Sequence, residues 1–386
     1  MLRALPAIIA ASLALVTVIA MVILRPTGEP DIDLSVLGIN AAVYDATAIE
    51  VVPQPCTGTT DEDGIPCVLV TFRIDEGPDT GEFRDLEFPV SDTSPSFAEG
   101  DRVVLDYRPE AEERFQYSFF DRQRRPVLLW VSILFAVAVI ALGRLRGVAA
   151  LFGLGVSVLV LLKFMIPAIL DGKPPVLIAV VGAAAIAYAG LYAAHGFNRM
   201  TTVALLGTLA ALALTALLAW FAVGAAELTG LADDASFIIT LVGTIDLSGL
   251  VLAGVVLGSV GAVDDVTITQ ASAVWEIRRA RPDMSRRDLM RSGLRVGRDH
   301  VASMVNTLLL AYAGAAMPLL IFFVLSSQSI GTVLNTEIVA TEVLRTLIGS
   351  IGLVASVPLT TWLAAWTASD DGGGGHAHGH GIPVES

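Results

Sequence analysis

Eight windows of mostly apolar residues constrain this chain more than any other feature. A helix rises about 1.5 Å per residue, so ~20 apolar residues cross the ~30 Å hydrocarbon core of a bilayer. The windows are 4–24, 127–142, 148–170, 176–194, 201–225, 237–263, 301–325 and 346–367. Only 16% of the 386 residues are charged, whereas soluble domains average about 25%. A soluble enzyme, a nucleic-acid binder and a disordered chain are therefore excluded. The expected fold is an α-helical polytopic membrane protein of about eight transmembrane helices. Arg3 before the first apolar run resembles a signal peptide, but Met21-Val22-Ile23-Leu24 offers no small-residue cleavage site before Arg25. Residues 1–25 are therefore read as an uncleaved anchor.

The charge is unevenly placed. Residues 26–126 hold 22 of the 38 acids and 8 of the 24 bases, a local net of −14, and the rest of the chain is neutral. Arg and Lys collect in cytoplasmic loops. With the N-terminus inside, the inner segments carry Arg3, Arg144, Arg146, Arg199 and eight arginines from Arg278 to Arg298. The outer loops carry Lys173 and the acids Glu227, Asp233 and Asp234, with Arg122, Arg124 and Arg125 as the exception. The expectation is a multi-pass protein of the cell membrane with both termini cytoplasmic.

Residues 26–126 change period. Segments 41–53, 66–74, 83–90, 102–107 and 114–120 alternate as half-buried strands do, separated by Asp63-Gly64, Gly77-Pro78, Thr80-Gly81 and Glu99-Gly100. They predict a small exported all-β domain of barrel or OB-like form. Both cysteines, Cys56 and Cys67, fall here. An oxidising compartment makes a disulfide their natural state. Asp61-Glu62-Asp63-Gly64 opens like a calcium loop but lacks the remaining ligands, and is read as solvated turn acids. Beyond the span domain (127–368), residues 369–386 form a Gly/His-rich tail whose His376, His378 and His380 are a weak candidate chelate for Zn, Ni or Cu. No cofactor is expected.

Ionisable groups inside spans are costly and mark function by default. Lys163 can snorkel outward from the third span. Asp246 falls about ten residues into the sixth window, among Gly243, Thr244, Ser248 and Gly249. Such small and hydroxyl residues permit an unwound, ion-facing segment. Asp264 and Asp265 lie near the inner end and point about 100° apart on a helix, so they are not a catalytic dyad with each other; one can face inward while the other faces headgroups. The glycines of this span allow close packing. Residues 276–300 form a basic cytoplasmic stretch suited to anionic lipid headgroups, with a helix starting at Ser285 after Pro282. Arg298 and Asp299 open the seventh span. Asn306, with Thr307 and Tyr312, extends the polar set, and Met317-Pro318 interrupts the helix. Glu342 and Arg345 are spaced as an i,i+3 pair. His195 and His300 read as interfacial. No catalytic constellation is present, so an enzyme is not expected.

Three strings carry a family resemblance: GAVDDVTITQASAVWE at 261–276, SGLRVGRDHVASMVNTLLLAYAGAAMPL beginning at Ser292, and NTEIVATEVLRTLIGSIGLVASVPLT at 335–360. Over roughly residues 125–367 the chain resembles the YibE/F family of polytopic membrane proteins. The resemblance implies an N-terminal span, a small exported β domain and a helical body. It singles out Asp265, Glu276, Arg298, Asp299, Asn306, Thr307, Tyr312, Glu342, Arg345, Gly349, Ser350 and Pro358, with Asp264 as a departure. It implies no settled activity.

Two functions are carried forward. A permease or channel-like transporter of a small solute or ion would use Asp246, Asp265, Arg298, Asp299, Asn306, Thr307, Glu342 and Arg345 along a polar path. The alternative is an envelope sensor or assembly factor whose exported β domain binds a partner. A cavity reaching Asp246 or Asp299 favours the first. The bilayer is the expected partner, a second copy of the chain is admissible, and nucleic acid is not expected.

Overall fold

The computed structural model describes residues 4–28, 42–57, 66–232, 236, 245–326 and 328–368. The Asp61–Gly64 run and the histidines of the tail lie outside the described residues. The chain divides into two compact units, Ile32–Ala138 and the remainder. Helix α2 (Arg125–Gly143) runs across that division, and α1 (Leu5–Ile23) belongs with the helical unit.

The smaller unit holds one curled antiparallel sheet of β1 (Ala42–Pro55), β2 (Pro66–Ile74), β3 (Phe83–Pro89), β4 (Arg102–Tyr107) and β5 (Tyr117–Arg122). The strand order is β3-β2-β1-β4-β5. The long strand β1 pairs with β2 through Val51↔Val70 and with β4 through Ala46↔Val103, and it bulges between Ala48 and Glu50. Bulges bend a strand and increase its twist. Alternation buries Ala46, Ala48, Val70, Phe72, Ile74, Val103 and Leu105 on one face. Phe88 of β3 stands 6.0 Å from Phe119 of β5, so the two edge strands curl toward each other over an aromatic core. Gly77, at φ +99°, makes its turn against the Tyr44 ring, where a side chain would have no room. A disulfide joins Cys56 to Cys67 at a Cα separation of 4.9 Å, closing the β1–β2 hairpin. The predicted fifth strand begins three residues late, because Glu113–Phe115 forms a short 3₁₀ turn.

The helical unit adds α3 (Leu145–Leu170), α4 (Pro175–His195), α5 (Arg199–Ala225), α6 (Leu247–Ala280), α7 (Arg286–Ala315), α8 (Met317–Leu325), α9 (Ile330–Leu334) and α10 (Glu337–Ala368). Among the described residues, seven helices are long and apolar enough to cross a membrane, and α7 with α8 form an eighth, bent by 66°. They suggest a membrane-embedded protein. The bend falls at the expected place, where Pro318 cannot continue the hydrogen-bond ladder. A widened turn at Leu161–Met165 precedes Pro167 in α3 and leaves Lys163 exposed.

Helices α5, α6 and α10 pack directly on one another. Small residues let their backbones approach: Gly207 of α5 faces the Thr360 hydroxyl of α10, and Gly352 of α10 faces the Thr215 hydroxyl of α5. Polar groups inside apolar bundles add hydrogen bonds to this packing. Thr208 and Thr267 hydroxyls meet at 2.7 Å. Gln270 donates to Gly293 O at 2.8 Å and to Thr361 Oγ1 at 2.7 Å, tying α6 to α7 and α10. At the opposite end Thr27 donates its backbone N–H (3.2 Å) and hydroxyl (3.0 Å) to Asp171, between α3 and α4. Together these two bonds and Lys173 hold the Asp171 carboxyl below its usual range, the backbone bond contributing most.

Candidate functional site

Helix α6 shows two faces. Val256, Val260, Val263, Thr267, Gln270 and Val274 are buried in the bundle. On the other side Gly254, Gly258, Gly261, Asp265, Thr269, Ser272, Glu276 and Arg279 recur every three or four residues, which at 3.6 residues per turn is a single stripe. It runs about 37 Å along the axis at ~1.5 Å per residue. Gly258, Gly261, Asp265, Thr269 and Glu276 are all exposed along it.

One end of the stripe carries an ion pair. Arg345 Nη1 donates to Glu342 Oε1 at 2.6 Å on α10, and the guanidinium lies over Gly254. One turn further along α6 the Tyr312 hydroxyl of α7 occupies the space that a side chain on Gly258 would need. Among the described residues, Arg345 Nε and Thr341 Oγ1 are buried without a hydrogen-bond partner. The two glycines thus admit a guanidinium and a phenol to the surface of α6. The next one, Gly261, has nothing within 4 Å of where its Cβ would be. Asp265 follows, exposed.

The other end brings together groups far apart in sequence. Thr269 Oγ1 lies 3.5 Å from His300 Nε2 of α7. His195, at the end of α4, is within Coulombic reach of Asp265 and Arg146. A cavity of about 690 Å³ opens here, lined by Arg146, His195, Asn198, Thr269, Ser272, Glu276 and Arg279 among others. Asn198 caps α5 by accepting from Thr201 N, and its amide donates to His195 O at 2.8 Å. That bond fixes the α4–α5 corner of the wall.

Of the adjacent carboxylates, Asp264 faces inward and Asp265 outward. Asp264 Oδ1 is buried and makes no hydrogen bond among the described residues, while Thr208, paired with Thr267, lies beside the carboxyl. Asp246 is not inside a helix: it caps α6, accepting from Gly249 N at 2.9 Å and Ser248 Oγ at 2.8 Å. Asp246 stands at the start of α6, which runs from Leu247 to Ala280 instead of ending near 263; residues 237–244 of the expected window, Gly243 and Thr244 among them, lie outside the described residues. Arg298, Asp299, Asn306 and Thr307 are exposed on α7, and no ion pair joins Arg298 to Asp265 or Asp299 among the described residues. The cavity at the α4–α5 corner does not reach Asp246 or Asp299, and neither does a second, mostly apolar one of about 910 Å³ between α1, α4 and α5. Arg146, His195 and His300 are site residues that sequence reasoning set aside. The signal available was their position at span ends, and nothing local shows that three helices bring them together.

Among the described residues, Cys56, Cys67 and Glu87 form the set whose ligand atoms lie close enough for a metal, within 4.8 Å. The sulfurs are bonded to each other, so they are not free to coordinate. Glu87 instead accepts the Thr57 N–H at 2.7 Å, the main cause of its lowered pKa.

No curated protein and no solved structure matches the chain. The sequence model of the YibE/F-like family matches residues 131–370, a stretch that holds the whole α6 stripe, the Glu342–Arg345 pair and the cavity. By that match over more than half its length, the chain belongs to the YibE/F-like family.

Proposed function

We propose that the protein is a permease or channel-like transporter of a small solute or ion, and that the α6 stripe lines its path. The observation that carries this is the uncovered carboxylate of Asp265, well inside a helix whose other face is buried. A carboxylate facing hydrocarbon costs several kcal/mol, so such a face belongs against water or a permeating ligand. Arg345 and Tyr312 lie over Gly254 and Gly258, so the open part of the stripe runs from Gly261 through Asp265, and the Glu342–Arg345 pair sets a charged boundary at its far end. Arginine placement favours both termini in the cytoplasm, which puts the cavity inside and the β unit outside. The order β3-β2-β1-β4-β5, with β3 and β5 meeting edge to edge, fits an OB-like, partly open barrel.

Reconstituted vesicles test the reading. A screen of small ions and solutes is expected to find at least one that enters faster with the protein than without it. Asp265→Asn should remove that flux with the fold intact. The second reading, a sensor or assembly factor, draws support from the acidic, separately compact β unit and from the two cavities described above, neither of which reaches Asp246 or Asp299. It gains if no flux is found while the intact protein captures a partner through that unit.

A further inference from the structure

We propose that the cavity walled by α3, α4, α5 and α6 binds a small oxyanion, a phosphate or carboxylate group, as the first station of the path. The substrate class named here rests on the transport reading, whereas the binding site does not. Its volume of about 690 Å³ falls within the ~300–1,000 Å³ of small-molecule sites.

Charge decides the ligand. Glu276 is held by Arg279 at 2.5 Å, so these two lining groups cancel. Arg146 forms no ion pair or hydrogen bond among the described residues, which leaves one uncompensated guanidinium in the wall. A guanidinium matches the two oxygens of a phosphate or carboxylate and binds them bidentately. The Ser272 hydroxyl makes no hydrogen bond among the described residues and can donate, and His195 adds a ring N–H. Thr269 differs: its hydroxyl already donates to Asp265 O at 2.7 Å and serves as wall. The Asn198 bond to His195 O keeps the corner preformed, so little ordering opposes binding. Asp265 acts on His195 from outside the lining set and offsets part of the positive charge. The site therefore suits a singly charged group held weakly.

The oxyanion can come from solution or from a lipid headgroup, and the experiment separates the two. Full-length protein in phosphatidylcholine nanodiscs is titrated with radiolabelled inorganic phosphate and with acetate, chloride serving as control. Saturable binding of phosphate or acetate is expected, weakened on the order of tenfold by Arg146→Gln, the loss of one charge-assisted contact. Arg144→Gln, two residues away and outside the cavity, should leave it unchanged. Phosphatidylglycerol added to the disc identifies a headgroup if it competes and a soluble anion if it does not. Absence of saturable binding, or equal loss in both variants, overturns the site. Because binding is read without flux, a protein that binds but does not transport defeats the transport reading alone, and one that transports without binding defeats this site alone.

Discussion

Arg345 and Glu342 meet at 2.6 Å one turn apart on α10, and the guanidinium they position lies 3.2 Å from where a side chain on Gly254 of α6 would begin. Side-chain exposures of 27% and 31% place the pair between a surface and a buried ion pair. Breaking a buried pair from one side costs more than removing both partners, because it strands a charge. Arg345→Met is expected to destabilise the protein by about 1–3 kcal/mol, below the ~3–5 of a fully buried pair because water screens part of it. Adding Glu342→Gln should restore much of the loss. Melting curves of the single and double variants in detergent check this, and a double variant as weak as the single contradicts it.

Asp264 and Asp265 should respond in opposite ways. Burying a charge that lacks an ion pair costs more than burying a neutral amide of the same size, and Asp264 carries a carboxyl with a buried Oδ1 and no ion pair among the described residues. Asp264→Asn is therefore expected to melt no lower than the native protein. Asp265→Asn should leave melting unchanged and abolish flux. A lower melting temperature for Asp264→Asn, or full flux from Asp265→Asn, contradicts the assignment of the two faces.

The contact between Thr27 and Asp171 is pH-sensitive with a defined sign. The folded carboxyl lies below its ordinary value of 3.8, held there by the Thr27 backbone N–H, the Thr27 hydroxyl and Lys173. A depressed folded pKa gives stabilisation that is present above the unfolded value and lost as pH falls through the folded one. Hydrogen exchange at the Thr27 amide, corrected for intrinsic rate, should stay slow down to the ordinary Asp range and quicken only below it. In Asp171→Asn the exchange should already be faster at neutral pH. Protection lost well above 3.8 is the contrary result.

The Cys56–Cys67 bond closes a hairpin of sequence separation 11. Loops of this size lose about 2–4 kcal/mol of stability when opened. Alkylation of the unreduced protein, read by mass spectrometry, should label neither cysteine. Cys56→Ala should lower the unfolding temperature of the β unit within the full chain while leaving the helical signal. Labelling of both thiols contradicts the pairing.

Much of this was legible because the signals are local. The helix start at Ser285, the break at Met317-Pro318, the Glu342–Arg345 spacing and the hairpin disulfide each rest on a few neighbouring residues. The capping role of Asp246 is harder to read. A hydropathy window reports avoidance of water and says nothing of where a helix begins, and the capping pattern Asp246–Gly249 lay inside an apolar run. The same window ended the span near 263, since it cannot follow α6 where the helix continues as a polar-striped rod to Ala280. The convergence of Arg146, His195 and His300 on Thr269 depends on how four helices pack, which spacing along one chain does not encode. Sequence alone assigns the glycines of α6 to close packing. Gly254 and Gly258 do let neighbours close in, and Gly261 stays open.

The central claim is that one face of α6 meets water within a span otherwise built for hydrocarbon. Both natural cysteines are in the disulfide, so single replacements Gly261→Cys, Asp265→Cys and Thr269→Cys can be labelled against a silent background. Val260→Cys, Val263→Cys and Val266→Cys serve as the buried face. A membrane-impermeant thiol reagent applied to the protein in vesicles is expected to label all three stripe positions and none of the valine positions. Labelling at Thr269 alone, with Gly261 and Asp265 refractory, would mean that the stripe faces lipid, and the proposed path would not exist.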